Sequence, residues 1–242
     1  MPEITGKQEI TDNSFLMKPQ IFTLKFGINR CYIIKGKQAV MVDGGPPNKK
    51  KEFLKQLTGL SLDPHVIRLI ILTHGDFDHI GSVKDFKEIT GASVAIHEND
   101  QENLEKGLFN WSPGVSGWGK LSRRLIKPFA DKTKIPAEKA DIVLNNNNFN
   151  LREFGIDGEV LYTPGHTFGS VSVLLDTGEA FVGCMAHNGF PFTAHPRFPI
   201  YAEDTEKLKE SWYILMEKGA KTIYPGHGNP FPAEKMKRFI GW

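Results

Sequence analysis

The sequence predicts an α/β protein (α+β in detail), with residues 1–242 forming one domain in which two β-rich halves with flanking helices make a sandwich. Three observations support this fold class. Apolar, β-branched runs alternate with segments of helical periodicity, as in layered α/β folds. The 242 residues, 40% of them apolar, are enough for one core. Several apolar runs also end in a glycine and a side chain that can bind metal, so chemistry is expected at strand ends.

The first half opens with strands and then alternates between helix and strand. A turn at Gly36-Lys37 separates two of the opening strands, which we expect to be antiparallel. The apolar residues of the first helix lie on one face. The predicted elements are strands 21–26, 30–35 and 39–42, a helix 48–60, a strand 66–72, a helix 81–89 and a strand 92–96.

Residues 101–140 interrupt this alternation. Their apolar side chains are scattered among glycine, proline and basic residues, too apolar for a linker and too irregular for strands. We predict a helical insertion over one edge of the site, in which Phe109, Trp111 and Trp118 offer an apolar wall. A peripheral subdomain that contributes only stability is the alternative. The basic piece 120–127 is interpreted as a solvated helix face.

The second half is also predicted to consist of strands with a flanking helix. The asparagine run 145–148 predicts a hairpin turn. Beyond it, we predict a strand leading to His166, strands 171–175 and 180–183, a helix 205–218 and a last strand ending at Pro225. His187 and His195 fall in a loop after the strand 180–183, where contact with a substrate is open to them.

Four side chains that can bind metal lie within six residues after the strand 66–72. They are His74, Asp76, Asp78 and His79. Imidazole and carboxylate together suit zinc, iron or manganese. A solvated turn that is rich in Asp and His is the alternative.

Three later strand ends each carry a glycine followed by another metal-capable residue. These residues are His166, Cys184 and His227. Glycine permits a sharp turn and a close approach of the backbone to an ion. We therefore expect all three to join the first cluster in one site. For Cys184 the alternative is a small buried hydrophobe, which is the interpretation we favour for Cys31.

Composition and charge limit the classes of partner that we expect for this protein. The formal net charge is +2, without a basic run, so we expect no nucleic acid. No apolar stretch has the length of a membrane span, and we expect no membrane partner. Two cysteines are too few for a disulfide framework, and no signal peptide is evident, so a cytoplasmic setting is expected. A small molecule is the expected substrate, and the sequence carries no signal for an oligomeric state.

The order of these motifs resembles the metallo-β-lactamase superfamily over nearly the whole chain. The motifs are Val42-Asp43-Gly44-Gly45, His74 to His79, Pro164-Gly165-His166-Thr167, Gly183-Cys184 and Pro225-Gly226-His227. The resemblance implies a four-layer αββα sandwich with metals at one edge, and Asp43 supporting the site from behind the ligands. It specifies the substrate much less, because one fold hosts many chemistries.

The chain departs from the family pattern His-x-His-x-Asp-His, because Asp76 stands at the second His. By position, the resemblance implies a first metal held by His74, Asp76 and His166, and a second held by Asp78, His79 and His227, with Cys184 where many members carry a bridging Asp. Asp76 has an alternative role as a hydrogen-bond partner behind a ligand imidazole. A single-metal site at Asp78, Cys184 and His227, as in some zinc β-lactamases, is also open.

These residues predict a metal-dependent hydrolase acting on a small ester, thioester, lactone or related acyl compound. Its cofactor would be one or two zinc ions, with iron or manganese as alternatives, and Asp78 would both hold metal and orient the nucleophile. Two other functions remain open. Asp76 and Cys184 are compatible with a ligand-binding or regulatory module that has drifted from catalysis. Iron-dependent redox chemistry rests on Asp76 alone and ranks last.

Overall fold

A computed structural model describes residues 19–108, 110–130, 135–189 and 193–241, without the side chains of 126–130 and 194. Phe109, one of the predicted wall residues, lies outside the described residues. The strands are β1 (Gln20–Phe26), β2 (Asn29–Lys35), β3 (Ala39–Val42), β4 (Ile67–Ile71), β5 (Ser93–His97), β6 (Ile142–Leu144), β7 (Phe149–Asn150), β8 (Gly158–Tyr162), β9 (Val171–Leu175), β10 (Glu179–Gly189), β11 (Thr193–Arg197), β12 (Thr222–Gly228) and β13 (Phe231–Pro232).

Helices connect and cover these strands. The α-helices are α1 (Lys50–Gly59), α2 (Phe77–Ile80), α3 (Val83–Thr90), α4 (Glu98–Glu105), α5 (Gly117–Ala130), α6 (Thr205–Glu217) and α7 (Lys237–Ile240). Short 3-10 turns lie at Pro64–Val66, Arg152–Phe154 and Ala233–Met236. The predicted helical insertion is therefore confirmed as α4 and α5 with irregular segments around them. Among the described helices, none combines the length and apolarity needed to cross a membrane.

The strands form two half-sheets joined at a single point. The order is β6-β5-β4-β3-β2-β12-β10-β9-β8-β7, with β1 beside β2, β11 beside β10 and β13 beside β12. The opening strands β1, β2 and β3 are antiparallel as predicted, whereas β3 to β6 run parallel. The two halves meet where Asn29 of β2 pairs with His227 of β12.

Three layers of buried side chains separate four layers of backbone. Phe53 of α1 and Phe86 of α3 stack with ring centroids 4.0 Å apart and pack on the outer face of the first half-sheet. Tyr32 and Phe181 belong to the middle core between the half-sheets. Trp212 of α6 packs on the outer face of the second half-sheet. The αββα sandwich is therefore confirmed.

The prediction of a hairpin at 145–148 is wrong. The flanking strands β6 and β7 do not pair with each other, since β6 pairs with β5 and β7 with β8, at opposite ends of the strand order. The run does turn, because the Asn145 side chain accepts a hydrogen bond from the Asn147 N–H (2.9 Å). The segment carries the chain from the first half-sheet to the second, a long-range connection that local turn chemistry does not reveal.

Candidate metal centre

The candidate ligands lie on loops and strand irregularities at one edge of the sandwich. His74 follows β4 and His166 follows β8, as predicted. Cys184 and His227, however, lie within strands, because β10 continues to Gly189 and β12 runs to Gly228 rather than ending at Pro225. The pairing of β10 with β12 slips between Gly183 and His187, and this bulge carries Cys184. Gly183 has a φ of +51°, and a Cβ there would collide with Thr73.

Two groups of donors meet at Cys184. Within the described residues, His74 and His166 form one group with Cys184, and His79 and His227 form the other. In each group the ligand atoms all lie within 4.8 Å of one another. The Cys184 Sγ is 3.3 Å from His79 Nε2. The thiol is therefore the common member of two adjacent donor sets.

The outward-facing nitrogens of three imidazoles are held by neighbouring groups. His79 Nδ1 lies 2.8 Å from Asp43 Oδ2, and His166 Nδ1 lies 2.9 Å from the Tyr201 carbonyl oxygen. His74 Nδ1 lies 2.9 Å from Thr73 Oγ1, which itself donates to Asp43. Such contacts fix the ring orientation and leave Nε2 to face the centre.

Asp76 lies on the inner side of the imidazoles. Its Oδ2 is 3.2 Å from His166 Nε2 and 3.7 Å from His74 Nε2, the nitrogens that face the centre. A carboxylate in the alternative role, behind a ligand ring, would instead contact the outward-facing Nδ1. The carboxylate of Asp76 thus lies next to the nitrogen atoms that would bind a metal, although neither compact donor group includes it.

Asp78 lies beside His227 and is fixed by a residue from another strand. Its Oδ2 is 3.4 Å from His227 Nε2 and accepts a 2.8 Å hydrogen bond from the Asn29 side-chain amide. Burial would raise the pKa of Asp78, but the His79 and His227 imidazoles lower it well below its usual range. The Asp78 carboxylate therefore stays ionised at neutral pH.

The electrostatics of the cluster favour a thiolate among imidazoles. Burial would raise the pKa of Cys184, yet the surrounding rings of His227, His79, His74 and His166 lower it well below its ordinary value. Burial likewise opposes the charged form of His227, but Cys184 and Asp78 raise its pKa to about 9.

These residues fit a divalent metal. His74 Nε2 and Asp76 Oδ1 are buried and have no hydrogen-bond partner, although buried polar atoms are normally satisfied. A bound cation would satisfy both. Four imidazoles, a thiolate and two carboxylates are also the ligand types that zinc accepts. The thiolate favours zinc, whereas the carboxylates extend the range to harder ions.

A cavity of about 290 Å³ opens onto the cluster. His166, Cys184 and His227 line it together with Asp76 and Asp78. Its apolar wall is made by the side chains of Ile28, Phe77, Trp111 and Tyr201. The rings of Trp111 and Tyr201 are 4.9 Å apart and meet edge to face. Trp111 thus lies where the sequence predicted a wall, whereas Trp118 is 61% exposed and does not line the cavity.

Sequence reasoning missed two supporting residues and misplaced two histidines, since His195, also predicted in a loop, lies exposed on β11 and does not line the cavity. Asn29 orients Asp78, and Asp100 accepts hydrogen bonds from the Gly75 N–H and the Thr167 hydroxyl (both 2.8 Å). His187 lies on β10 rather than in a loop, and it lines the cavity. Burial lowers its pKa to about 4, so its imidazole is neutral at physiological pH. Asn29 and Asp100 stand in unremarkable local contexts, and no signal in the sequence points to either.

Comparison with known proteins agrees with this geometry. The model of the metallo-beta-lactamase superfamily matches residues 24–227. The chain is 29% identical over 158 residues to the "Probable metallo-hydrolase YqgX" of Bacillus subtilis, a match that covers 64% of this chain and 63% of that relative. It is 24% identical over 205 residues to the "Probable metallo-hydrolase MJ0888" of Methanocaldococcus jannaschii, covering 81% and 86% of the two chains.

Solved structures show the same fold. The BLEG-1 B3 metallo-beta-lactamase superposes with a TM-score of 0.67 at 23% identity, covering 92% of this chain and 100% of that one. ST1585 of Sulfolobus tokodaii, an archaeal superfamily protein, has a TM-score of 0.64 at 24% identity and covers 91% and 84%. The chain belongs to the metallo-β-lactamase superfamily. The family match also confirms the class of protein predicted from the sequence, a metal-dependent hydrolase.

Proposed function

We propose that this chain hydrolyses a small acyl compound, such as an ester, thioester or lactone, at a centre with two metal positions. One observation carries the proposal. Four imidazoles and a thiol with a lowered pKa converge beside a cavity whose wall is aromatic. Clefts that combine a few convergent polar groups with apolar walls are typical of small-molecule sites.

The ligand assignment extends the two donor groups by Asp76 and Asp78, whose carboxylates lie against His166 and His227. We propose that His74, Asp76 and His166 hold one ion, that Asp78, His79 and His227 hold the other, and that Cys184 is shared between them. Zinc is the metal we propose, since it accepts imidazole and thiolate together. Asp76 adds a negative charge where the family pattern has a neutral ring, which favours iron or manganese as the next candidates.

The metal and the protein have separate tasks. When bound, a divalent ion polarises a carbonyl group and makes water a nucleophile near neutral pH. Asp78 remains ionised, and its carboxylate is oriented by Asn29, so it would help to hold a metal and would accept a hydrogen bond from an attacking water. Asp43, Thr73 and Tyr201 keep the ligand rings in place through their outward-facing nitrogens.

The cavity limits the substrate. A volume of about 290 Å³ is near the lower end of small-molecule sites, so a short acyl group fits better than a polymer. Phe77, Trp111 and Tyr201 offer an apolar surface to the acyl chain. We also propose that residues 1–242 form one domain, a proposal that the middle core supports because both half-sheets contribute to it.

A panel of short esters, thioesters and lactones tests this proposal. We expect hydrolysis that is lost after chelation and restored by zinc, iron or manganese. Within one leaving group, KM should fall as the acyl chain lengthens to fill the cavity, and Trp111→Ala should abolish that trend. Absence of activity across the panel, or activity that chelation does not change, would contradict the proposal.

A further inference from the structure

Helix α5 presents an exposed apolar strip. Trp118, Leu121 and Leu125 are 61%, 50% and 60% exposed. They are spaced i, i+3 and i+7, which places them on one face of the helix. We call these three residues the α5 strip. Contiguous exposed apolar surface rimmed by polar residues marks interaction sites on soluble proteins.

The charged residues of the α5 segment itself have one sign. Within residues 117–130 there are four basic residues and no Asp or Glu: Lys120, Arg123, Arg124 and Lys127. Lys120 and Arg124 are exposed and lie four residues apart, so they form a basic row alongside the strip. An apolar face bordered by cations, with a tryptophan on it, is typical of helices that lie on membrane surfaces.

Other faces of α5 are already packed. The Ser122 hydroxyl is 2.6 Å from the Tyr201 hydroxyl, and the Arg123 guanidinium donates to the Trp111 carbonyl oxygen (3.2 Å). Tyr201 and Trp111 also line the cavity, so α5 lies directly on the cavity wall. Over residues 117–125, whose side chains the structure describes, the exposed part of the helix carries the strip and the basic row.

We propose that the α5 strip docks the protein on an anionic lipid surface. A planar surface needs only the outer half of a helix, whereas a groove that encloses a helix needs its apolar face free of other contacts. A second copy paired through the same face would bring two basic rows together, which like-charge repulsion disfavours. The proposal departs from our sequence-based expectation that this segment is a solvated face and that no membrane is a partner.

Vesicle binding by the purified full-length chain tests the proposal. We expect co-sedimentation with phosphatidylcholine vesicles that contain phosphatidylglycerol, little with phosphatidylcholine alone, and release at high salt. Equal binding to both compositions, or binding to neither, would overturn it.

Paired variants locate the contact. Lys120→Gln with Arg124→Gln should weaken binding to the anionic vesicles about tenfold or more. Leu121→Ser with Leu125→Ser should weaken it to a similar extent. The matched controls are Lys51→Gln with Lys55→Gln, also exposed and four residues apart, and Leu54→Ser, all on α1. Circular dichroism and thermal melting show whether each variant is folded.

Two results would reject the assignment. If the α1 controls lose as much affinity as the α5 variants, binding is a general charge effect. If the chain is dimeric in sedimentation experiments, and Leu121→Ser with Leu125→Ser yields monomers without changing vesicle binding, the strip serves a second copy instead.

Discussion

At the scale of single residues, the candidate site departs at two positions from the family pattern that the sequence resembles. Asp76 stands where an imidazole is expected, and its carboxylate lies against His166 and His74. Cys184 stands where a carboxylate is expected, and it is common to both donor groups. Both were predicted as ligands from their order in the chain. Their roles as ligands remain predictions, whereas the structure shows that both side chains line the same cavity.

The thiol of Cys184 should be reactive when metal is removed. Because the four imidazoles lower its pKa, the thiolate persists as the pH falls below the ordinary cysteine range and is lost only when the pH passes its lowered pKa. We expect one equivalent of iodoacetamide to label the chelated protein at neutral and mildly acidic pH, as read by mass spectrometry. Zinc should protect the thiol.

Cys31 is the internal control for that labelling. It is fully buried, and burial together with Asp43 and Asp78 raises its pKa well above the ordinary value. It should react only after unfolding. Labelling of Cys31 before Cys184, or labelling of Cys184 that zinc does not change, would contradict the account.

Replacing Asp76 tests whether its carboxylate binds the metal. Asp76→Ala removes the carboxylate that lies 3.2 Å from His166 Nε2, so we expect weaker metal binding and a fall in kcat/KM of about 10–100-fold. Asp76→His, which restores the family pattern, should retain metal. Isothermal titration with zinc measures the first effect. Asp85→Ala, at a half-buried position of α3 outside the cluster, is the matched control, and equal behaviour of the two alanine variants would remove Asp76 from the site.

At the scale of secondary structure, strands and helices were predicted well because their periodicity is local. Features that depend on contacts between distant parts of the chain were not predicted. The bulge that carries Cys184 arises where β10 and β12 lose register, and the crossing at 145–148 depends on which strands pair. Neither is encoded in a short window of sequence. Asp100 belongs to the same category, since its partners Gly75 and Thr167 are distant in the chain.

Asp100 connects α4 to the two loops that carry His74 and His166. Asp100→Ala leaves the Gly75 N–H and the Thr167 hydroxyl without their buried acceptor, so we expect a loss of about 1–3 kcal/mol in the free energy of unfolding. Urea denaturation measures it. Asp100→Asn keeps one oxygen acceptor and should lose less.

A second measurement distinguishes positioning from simple stability. The loops hold His74 and His166, so Asp100→Ala should also weaken zinc binding under conditions where the variant is fully folded. Thr90→Ala, which removes a buried hydrogen bond within α3, provides a destabilised control away from the ligands. Weakening of zinc binding by both variants alike would assign Asp100 to stability alone.

At the scale of the whole molecule, the four-layer sandwich brings distant strand ends to one edge. The β2–β12 contact joins the half-sheets through Asn29 and His227, a supporting residue and a candidate ligand. Metal binding and the association of the half-sheets are therefore expected to be coupled. The family and the fold were predictable because motif order is a property of the sequence, whereas the substrate depends on cavity shape.

The central claim is that Cys184 lies between two metal positions. Elemental analysis of the purified chain, beside Cys184→Ala and the control Cys31→Ala, tests it most directly. We expect about two metal equivalents in the unmodified chain and in Cys31→Ala, and a clear loss in folded Cys184→Ala, because a two-metal centre needs its shared ligand. A chain that binds no metal, or a Cys184→Ala variant with the full metal content, would contradict the claim.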